Sequence, residues 1–245
     1  MPEKTLHIEL VTHTADPQAL TALGARLCYA GGDIDSLLTK IASKDQTAFV
    51  EKIMSMGHES VLEHVSFTFL CEGVSRVLLA QLTRHRLASY SVQSQRYVSY
   101  KDGFGYIIPP AIKALGEEAV SRYEWQMAQM QNWYEEWQTQ LGNGEKSNED
   151  ARFVLPNACE TRILLTMNAR ELRHFFSMRM CNRAQWEIRE MANQMFKLCY
   201  DTAPAIFRDA GPACLRGTCP EGSKSCGSGP LLRKQREALL NTNCP

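Results

Sequence analysis

Between Gly73 and Lys101 the chain has no acidic residue, although it carries 27 Asp and Glu against 27 Lys and Arg overall. This interval constrains the fold more than any other. It opens with an apolar run, Val77-Leu78-Leu79-Ala80-Gln81-Leu82, that reads as a largely buried helix and runs straight into Arg84-His85-Arg86. Three cationic or imidazole groups leaving a buried segment are costly unless they have partners. The planar fork of Arg pairs bidentately with phosphate, and the hydroxyls of Ser89, Ser91 and Ser94 suit the same oxygens. A small anionic ligand held by fixed groups is therefore expected, with a solvated basic loop as the plain alternative. The neutral balance argues against broad nucleic-acid binding, which draws on many uncompensated phosphate contacts.

The 245 residues, 44% of them hydrophobic, suffice for one large domain with a substantial core. No apolar run reaches membrane-spanning length and no cleavable signal pattern opens the chain, so a cytoplasmic protein with no membrane partner is expected. Residues 6–11 alternate as a strand does, and Asp16-Pro17 marks a helix start, Asp as the cap and Pro in the first turn. Gly31-Gly32 interrupts that helix. Helices over 36–42 and 46–56 follow, the second closed by Gly57. Residues 65–70 alternate with period two, Val65, Phe67 and Phe69 on one face. A long amphipathic pattern covers 111–141. All its aromatics except Trp125 fall on one broad face, which suits core or subunit packing better than a cofactor box. The acid-capped stretch Ser147-Asn148-Glu149-Asp150 starts a helix carrying Arg152. A strand over 163–167 then turns at Asn168-Ala169-Arg170 into a helix through His174, and a last long helix runs from 184 to about 200, with Pro204 beyond it. Arg170 and His174, four apart, share a helix face. This mixture of helices with antiparallel-style strands and few βαβ signals predicts an α+β fold: a small antiparallel or mixed sheet flanked by long helices in one domain.

Metal is not expected. His58 and His64 lack the pitch that sets two imidazoles on one helix face. Cys214, Cys219 and Cys226, in a Gly- and Pro-rich segment over 211–230, lack the paired spacing of a zinc site, so 211–245 reads as a loose tail with a short terminal helix over 231–240. The remaining cysteines (Cys28, Cys71, Cys159, Cys181, Cys199 and Cys244) suit reduced thiols rather than a disulfide framework.

Arg84-His85-Arg86 followed after seven residues by Ser94 resembles the signature of the flavin-dependent thymidylate synthases. Gly57-His58-Glu59-Ser60, the block from Ala151 to Pro156, Asn168-Ala169-Arg170, Met178-Arg179 and Ala184-Gln185-Trp186-Glu187 resemble that family in the expected order, over roughly residues 20–209. The resemblance implies a catalytic domain over 1–210 and reductive methylation of dUMP to dTMP. Methylenetetrahydrofolate would supply the carbon, and FAD, reduced by NADPH, the hydride. It assigns Gln81, Arg84, Ser94, Gln95, Arg96 and Arg152 to dUMP, and places Arg179 at the uracil edge as the catalytic group. His58, Ser60, Arg84, His85, Arg86, Asn168, Arg170 and His174 fall to FAD. It also implies a homotetramer whose subunits share sites. Ser91, Val92 and Arg183 depart from common forms of the motifs. A non-catalytic protein binding nucleotide or RNA phosphate is the alternative, and bound flavin separates the two.

Overall fold

The computed structural model describes residues 1–242, with side chains described to residue 237; Cys244 lies outside the described residues. Among them the strands are β1 (His7–His13), β2 (Ser66–Ser75), β3 (Ala88–Val92) and β4 (Glu160–Asn168). They form one antiparallel sheet in the order β1-β2-β4-β3. The α+β class is as expected. In chain order the helices are α1 (Pro17–Leu27), α2 (Ile34–Ala42), α3 (Thr47–Ser55), α4 (Arg76–Leu82), α5 (Pro110–Lys113), α6 (Glu117–Gln140) and α7 (Glu145–Ala151), then α8 (Ala169–Arg179), α9 (Trp186–Thr202), α10 (Pro204–Phe207) and α11 (Gly229–Thr242).

The chain divides into two compact units, the first comprising Met1–Glu9, Leu70–Arg84 and Tyr90–Leu165, the second Leu10–Phe69, His85–Ser89 and the chain from Thr166 onward. The first has an aromatic core of Tyr100, Phe104, Tyr106 and Tyr134 with Ile108, Met127 and Cys159. Gly73 belongs here by necessity. Its φ is +68°, and a Cβ would stand 1.9 Å from the Thr5 carbonyl oxygen, so only glycine allows this approach. The second unit centres on Phe67, Phe176 and Phe207, with Phe67 edge-on to Phe207 at 5.5 Å between centroids. Burying a side chain of this size contributes roughly 1.5–3 kcal/mol.

The local signals were sound where a cap fixed them. Asp16 accepts from the Ala19 amide at 2.8 Å, and Asn168 caps α8 by accepting from the Glu171 amide at 2.8 Å. Three expectations need correcting. The pattern over 111–141 is two helices, broken at Gly116 (φ +97°), because no side chain tolerates that backbone well. Its aromatic face is only partly core: Tyr134 is fully buried, but Trp133 and Trp137 are exposed like Trp125. The segment from 211 is not loose. Cys214 is buried, Arg233 donates to its carbonyl at 2.6 Å, and the Arg236 guanidinium lies 4.4 Å over the Phe196 ring. Those anchors come from cationic side chains, which a search for turn residues and glycines overlooks.

Candidate functional site

In the first unit, α4 is amphipathic rather than largely buried: Leu78 and Leu82 face inward while Val77 is 39% exposed. Its ends are tied to the segment that follows. Tyr90 donates from its hydroxyl to the Leu82 carbonyl at 2.9 Å, and Arg76 donates to the Gln93 carbonyl at 2.9 Å. Residues 88–92, within the basic stretch read as a loop, are strand β3, whose continuation bonds to β4 through the Gln93 amide and the Arg162 carbonyl at 2.9 Å.

Beyond that strand, Ser94, Gln95 and Arg96 form a turn in which the Ser94 hydroxyl accepts from the Arg96 amide at 3.2 Å. Gln95 donates to Cys159 Sγ at 3.5 Å, and Asn148 holds the Arg96 carbonyl at 3.1 Å. Arg96 Nε is 2.9 Å from Glu149 Oε2, although its N–H is not aligned for a hydrogen bond. Arg152, one residue past α7 rather than within it, donates from Nε to the Glu149 carbonyl at 3.0 Å. The structure therefore brings Gln95, Arg96 and Arg152 together around the 145–159 segment, with Glu149 between the two arginines. Gln81 lies near the end of α4, and Arg84, exposed just beyond it, makes no hydrogen bond or ion pair among the described residues.

In the second unit, His85 turns inward and Arg86 outward. Arg86 is exposed and unpaired among the described residues. His85 is 4% exposed, with Nδ1 2.9 Å from Glu171 Oε1, and Arg179 Nε donates to its Nε2 at 3.1 Å. A nitrogen that accepts from a guanidinium carries no proton, so the ring is neutral with its hydrogen on Nδ1, donated to Glu171. The electrostatics agree. Burial pushes the imidazole below its ordinary value, helped by the Arg179 charge, and the hydrogen bond to Glu171 opposes this without overcoming it. Glu171 in turn is set by the Asn168 cap at the first turn of α8, where a carboxylate is favoured by the helix dipole.

A cleft of about 580 Å³ along α8 is lined by Asn168, Arg170, His174 and Ser177, with Glu59, Glu63, Glu171, Leu87 and Arg216. Arg170 and His174 share the face their spacing predicted. Arg170 is paired with Glu63, so an anion entering the cleft competes with that carboxylate. His58 lies on a different cleft, and Ser60 is exposed in the 3-10 turn Glu59–His64 without lining either. Arg179 lines a third cleft with Cys181, Arg183, Cys214 and Cys219, so the segment from 211 reaches the same surface as the catalytic candidate.

Two cationic residues escaped sequence reasoning. Arg216 belongs to the supposed tail, lines the α8 cleft and sits 3.3 Å from Glu59. Arg173, 1% exposed, donates to Glu59 at 3.0 Å and to both Asp209 oxygens at 2.6 and 3.0 Å. It is a structural clamp, distinguishable from its neighbours only by its position on the inward face of α8. Among the described residues no group of three or more His, Cys, Asp or Glu is set to hold a metal ion. All eight described cysteines are free. Burial pushes the Cys71 thiol up to about 12 and that of Cys159 up to about 11, which leaves neither poised as a nucleophile.

The exposed guanidiniums of Arg84 and Arg86 are groups suited to pairing with phosphate, which makes the chain a candidate anion-binding protein. Comparison with known sequences narrows that class. A family profile described as thymidylate synthase complementing protein matches residues 9–205. A flavin-dependent thymidylate synthase of Geobacter sulfurreducens is 52% identical over 230 residues, 94% of this chain and 97% of that protein. Proteins of the same name from Clostridium tetani and Nitratidesulfovibrio vulgaris are 43% and 45% identical, covering 93% and 94% of this chain and 95% and 98% of their own lengths. The chain belongs to the flavin-dependent thymidylate synthase family.

Proposed function

We propose how this chain divides the work of its family's reaction among its residues. The reaction is the reductive methylation of dUMP to dTMP, with methylenetetrahydrofolate and NADPH as co-substrates and FAD as cofactor. When bound, the flavin supplies the hydride. The non-catalytic alternative is not favoured by the names of the relatives.

Gln81, Arg84, Ser94, Gln95, Arg96 and Arg152 take dUMP. Arg84 and Arg96 supply guanidinium donors suited to its phosphate, and Arg152 closes the set from the far side of Glu149. Asn168, Arg170 and His174 take FAD on the α8 cleft; the family resemblance assigns Arg84, Arg86, His58 and Ser60 to FAD as well, although none of them lines that cleft. The donor chemistry fits: guanidinium and imidazole N–H groups suit a pyrophosphate, and the cleft adds an amide and a hydroxyl. His85 was expected to contact FAD, but both its ring nitrogens are engaged within the protein, so we assign it to positioning Arg179. Arg179 faces the uracil edge. Carbon and hydride transfer gather electron density at N3 and O4, and a guanidinium beside that edge stabilises the transition state more than the ground state.

The observation that carries this division is the Arg84-His85-Arg86 turn itself, with its imidazole buried against Arg179 and its two guanidiniums exposed and unpaired among the described residues. We further propose a homotetramer whose subunits share sites, a cytoplasmic location, a catalytic domain over 1–210 and an appended segment over 211–245. No helix among the described residues is long and apolar enough to cross a membrane. The purified protein should be yellow, its oxidised-flavin absorption bleached by NADPH. Colourless protein that cannot be reconstituted with FAD would overturn the proposal.

A further inference from the structure

One cleft in the second unit has no part in the division above, apart from His58 at its edge. It measures about 500 Å³ and collects a cation from each of three helices: Arg26 of α1, Lys40 of α2 and Lys52 of α3. No acid lines it. Asp35 of α2 lies outside the lining, and three other nearby acids are engaged elsewhere. Glu51 pairs with Arg208 at 2.7 Å, Asp33 caps α2 through the Ser36 amide at 2.8 Å, and Asp45 holds Thr47 at 2.8 Å.

Lysines on helix surfaces are ordinarily solvated and mean nothing by themselves. Arg26 is different because it is fixed. Its guanidinium lies 4.0 Å over the Phe49 ring, and one terminal nitrogen reaches Gln46 Oε1 at 3.5 Å. Gln46 is held in turn, its amide nitrogen donating to the Ile41 and Lys44 carbonyls at 2.9 Å each, which leaves its oxygen for Arg26. Yet Arg26 Nε is buried without a hydrogen-bond partner among the described residues. That donor is closed off, but Nη1 also has no hydrogen-bond partner among the described residues, and a preorganised guanidinium with an open donor is the kind of group an anionic ligand satisfies. Phe49 and the exposed Tyr29 add aromatic surface beside the three charges.

We infer that this cleft binds the polyanionic arm of a co-substrate. The inference rests on the proposed reaction, whose two co-substrates both carry such an arm: phosphates on the nicotinamide dinucleotide, and glutamyl carboxylates on the folate. The volume suits an arm rather than a whole dinucleotide.

The test uses the holoenzyme with Lys40→Ala and Lys52→Ala combined, both exposed positions whose replacement leaves the core untouched. The flavin spectrum is recorded first, then KM and kcat at low salt for NADPH, NADH, and mono- and triglutamylated methylenetetrahydrofolate. The KM of one co-substrate should rise about tenfold at unchanged kcat, and the difference should shrink with added salt. If the arm is nicotinamide-borne, NADPH loses more than NADH. If it is folate-borne, the triglutamate loses its advantage over the monoglutamate. A yellow, active double variant with both KM values within twofold of the parent overturns the inference while leaving the proposed function intact. A colourless parent protein overturns the proposed function instead. Calorimetry of that parent with inorganic pyrophosphate and with triglutamate then decides on the cleft alone: binding lost in the double variant supports it, and no binding to the parent removes it.

Discussion

Both units hold a candidate ligand arginine against a protein partner, but the partners differ in charge. In the first, Arg96 Nε lies 2.9 Å from the Glu149 carboxylate. In the second, Arg179 donates to the neutral ring of His85 at 3.1 Å. A carboxylate orients a guanidinium and also cancels most of its charge, so a ligand phosphate has to compete for it. A neutral imidazole orients the guanidinium and leaves the charge available. The first arrangement suits a site that releases its nucleotide. The second suits a charge that must act on electron density as it develops.

The largest expected effect comes from Arg173, buried between the carboxylates of Glu59 and Asp209. Arg173→Ala leaves Glu59 and Asp209 without their buried partner and should cost about 3–5 kcal/mol in a denaturant titration. Asp209 adds a pH signature. Burial raises its carboxyl, but the hydrogen bond and charge of Arg173 outweigh this and hold it below the usual range. A carboxyl depressed in the folded state contributes stability that is present above its unfolded pKa, about 4, and is lost as acid carries the pH down through the folded value. That acid-sensitive stability should vanish in Arg173→Ala.

Next is Arg179→Ala, which should lower thymidylate formation by about 2–4 kcal/mol of transition-state stabilisation, roughly a hundred- to a thousand-fold. Melting temperature and bound FAD should stay near the parent's. Arg179→Lys should recover little, since a point charge lacks the planar fork. Loss of melting temperature and flavin together with activity would make Arg179 a structural strut like Arg173, and the contrast between the units would collapse.

Glu149→Gln probes the other side. Removing the competing charge while keeping the side-chain size should tighten dUMP binding about two- to five-fold, the worth of a partly exposed ion pair. Weaker binding would mean that Glu149 orients Arg96 and Arg152 more than it neutralises them. The smallest effect is expected from replacing Cys214, Cys219 and Cys226 together by Ser. Flavin content and turnover should stay within a few-fold, and stoichiometric zinc lost along with activity would contradict this.

How legible each part was depended on the range of the interaction that decides it. Asp16, Asn168 and Gly57 act within a turn of their own positions, so the helix ends they fix could be read directly. The shared face of Arg170 and His174 is likewise helical geometry. What Arg84, His85 and Arg86 each do is decided by Glu171 and Arg179, some ninety residues further on, and no local pattern distinguishes the buried imidazole from the exposed guanidiniums. Arg173 and Arg216 were missed for the same reason. The exposure of Trp133 and Trp137 shows the limit of periodicity: it tells which residues share a helix face, not whether anything covers that face.

The central claim, that His85 must be neutral to hold Arg179, is tested most directly by turnover per bound flavin as a function of pH in the parent and in His85→Gln. The groups facing His85 are Glu171, Arg179 and His174, the last with its ring centroid 6.0 Å away. Because burial depresses the folded pKa, the neutral ring persists below the ordinary imidazole value of about 6.5 and is lost only as the pH falls further. The parent should therefore lose turnover on that acid limb as Nε2 gains a proton and repels the guanidinium. A glutamine amide can still accept from Arg179 and donate to Glu171 but has no proton to gain, so the variant should keep activity within about tenfold at neutral pH. Its acid limb should be absent. An identical acid limb in both proteins, at equal flavin content, would contradict the account.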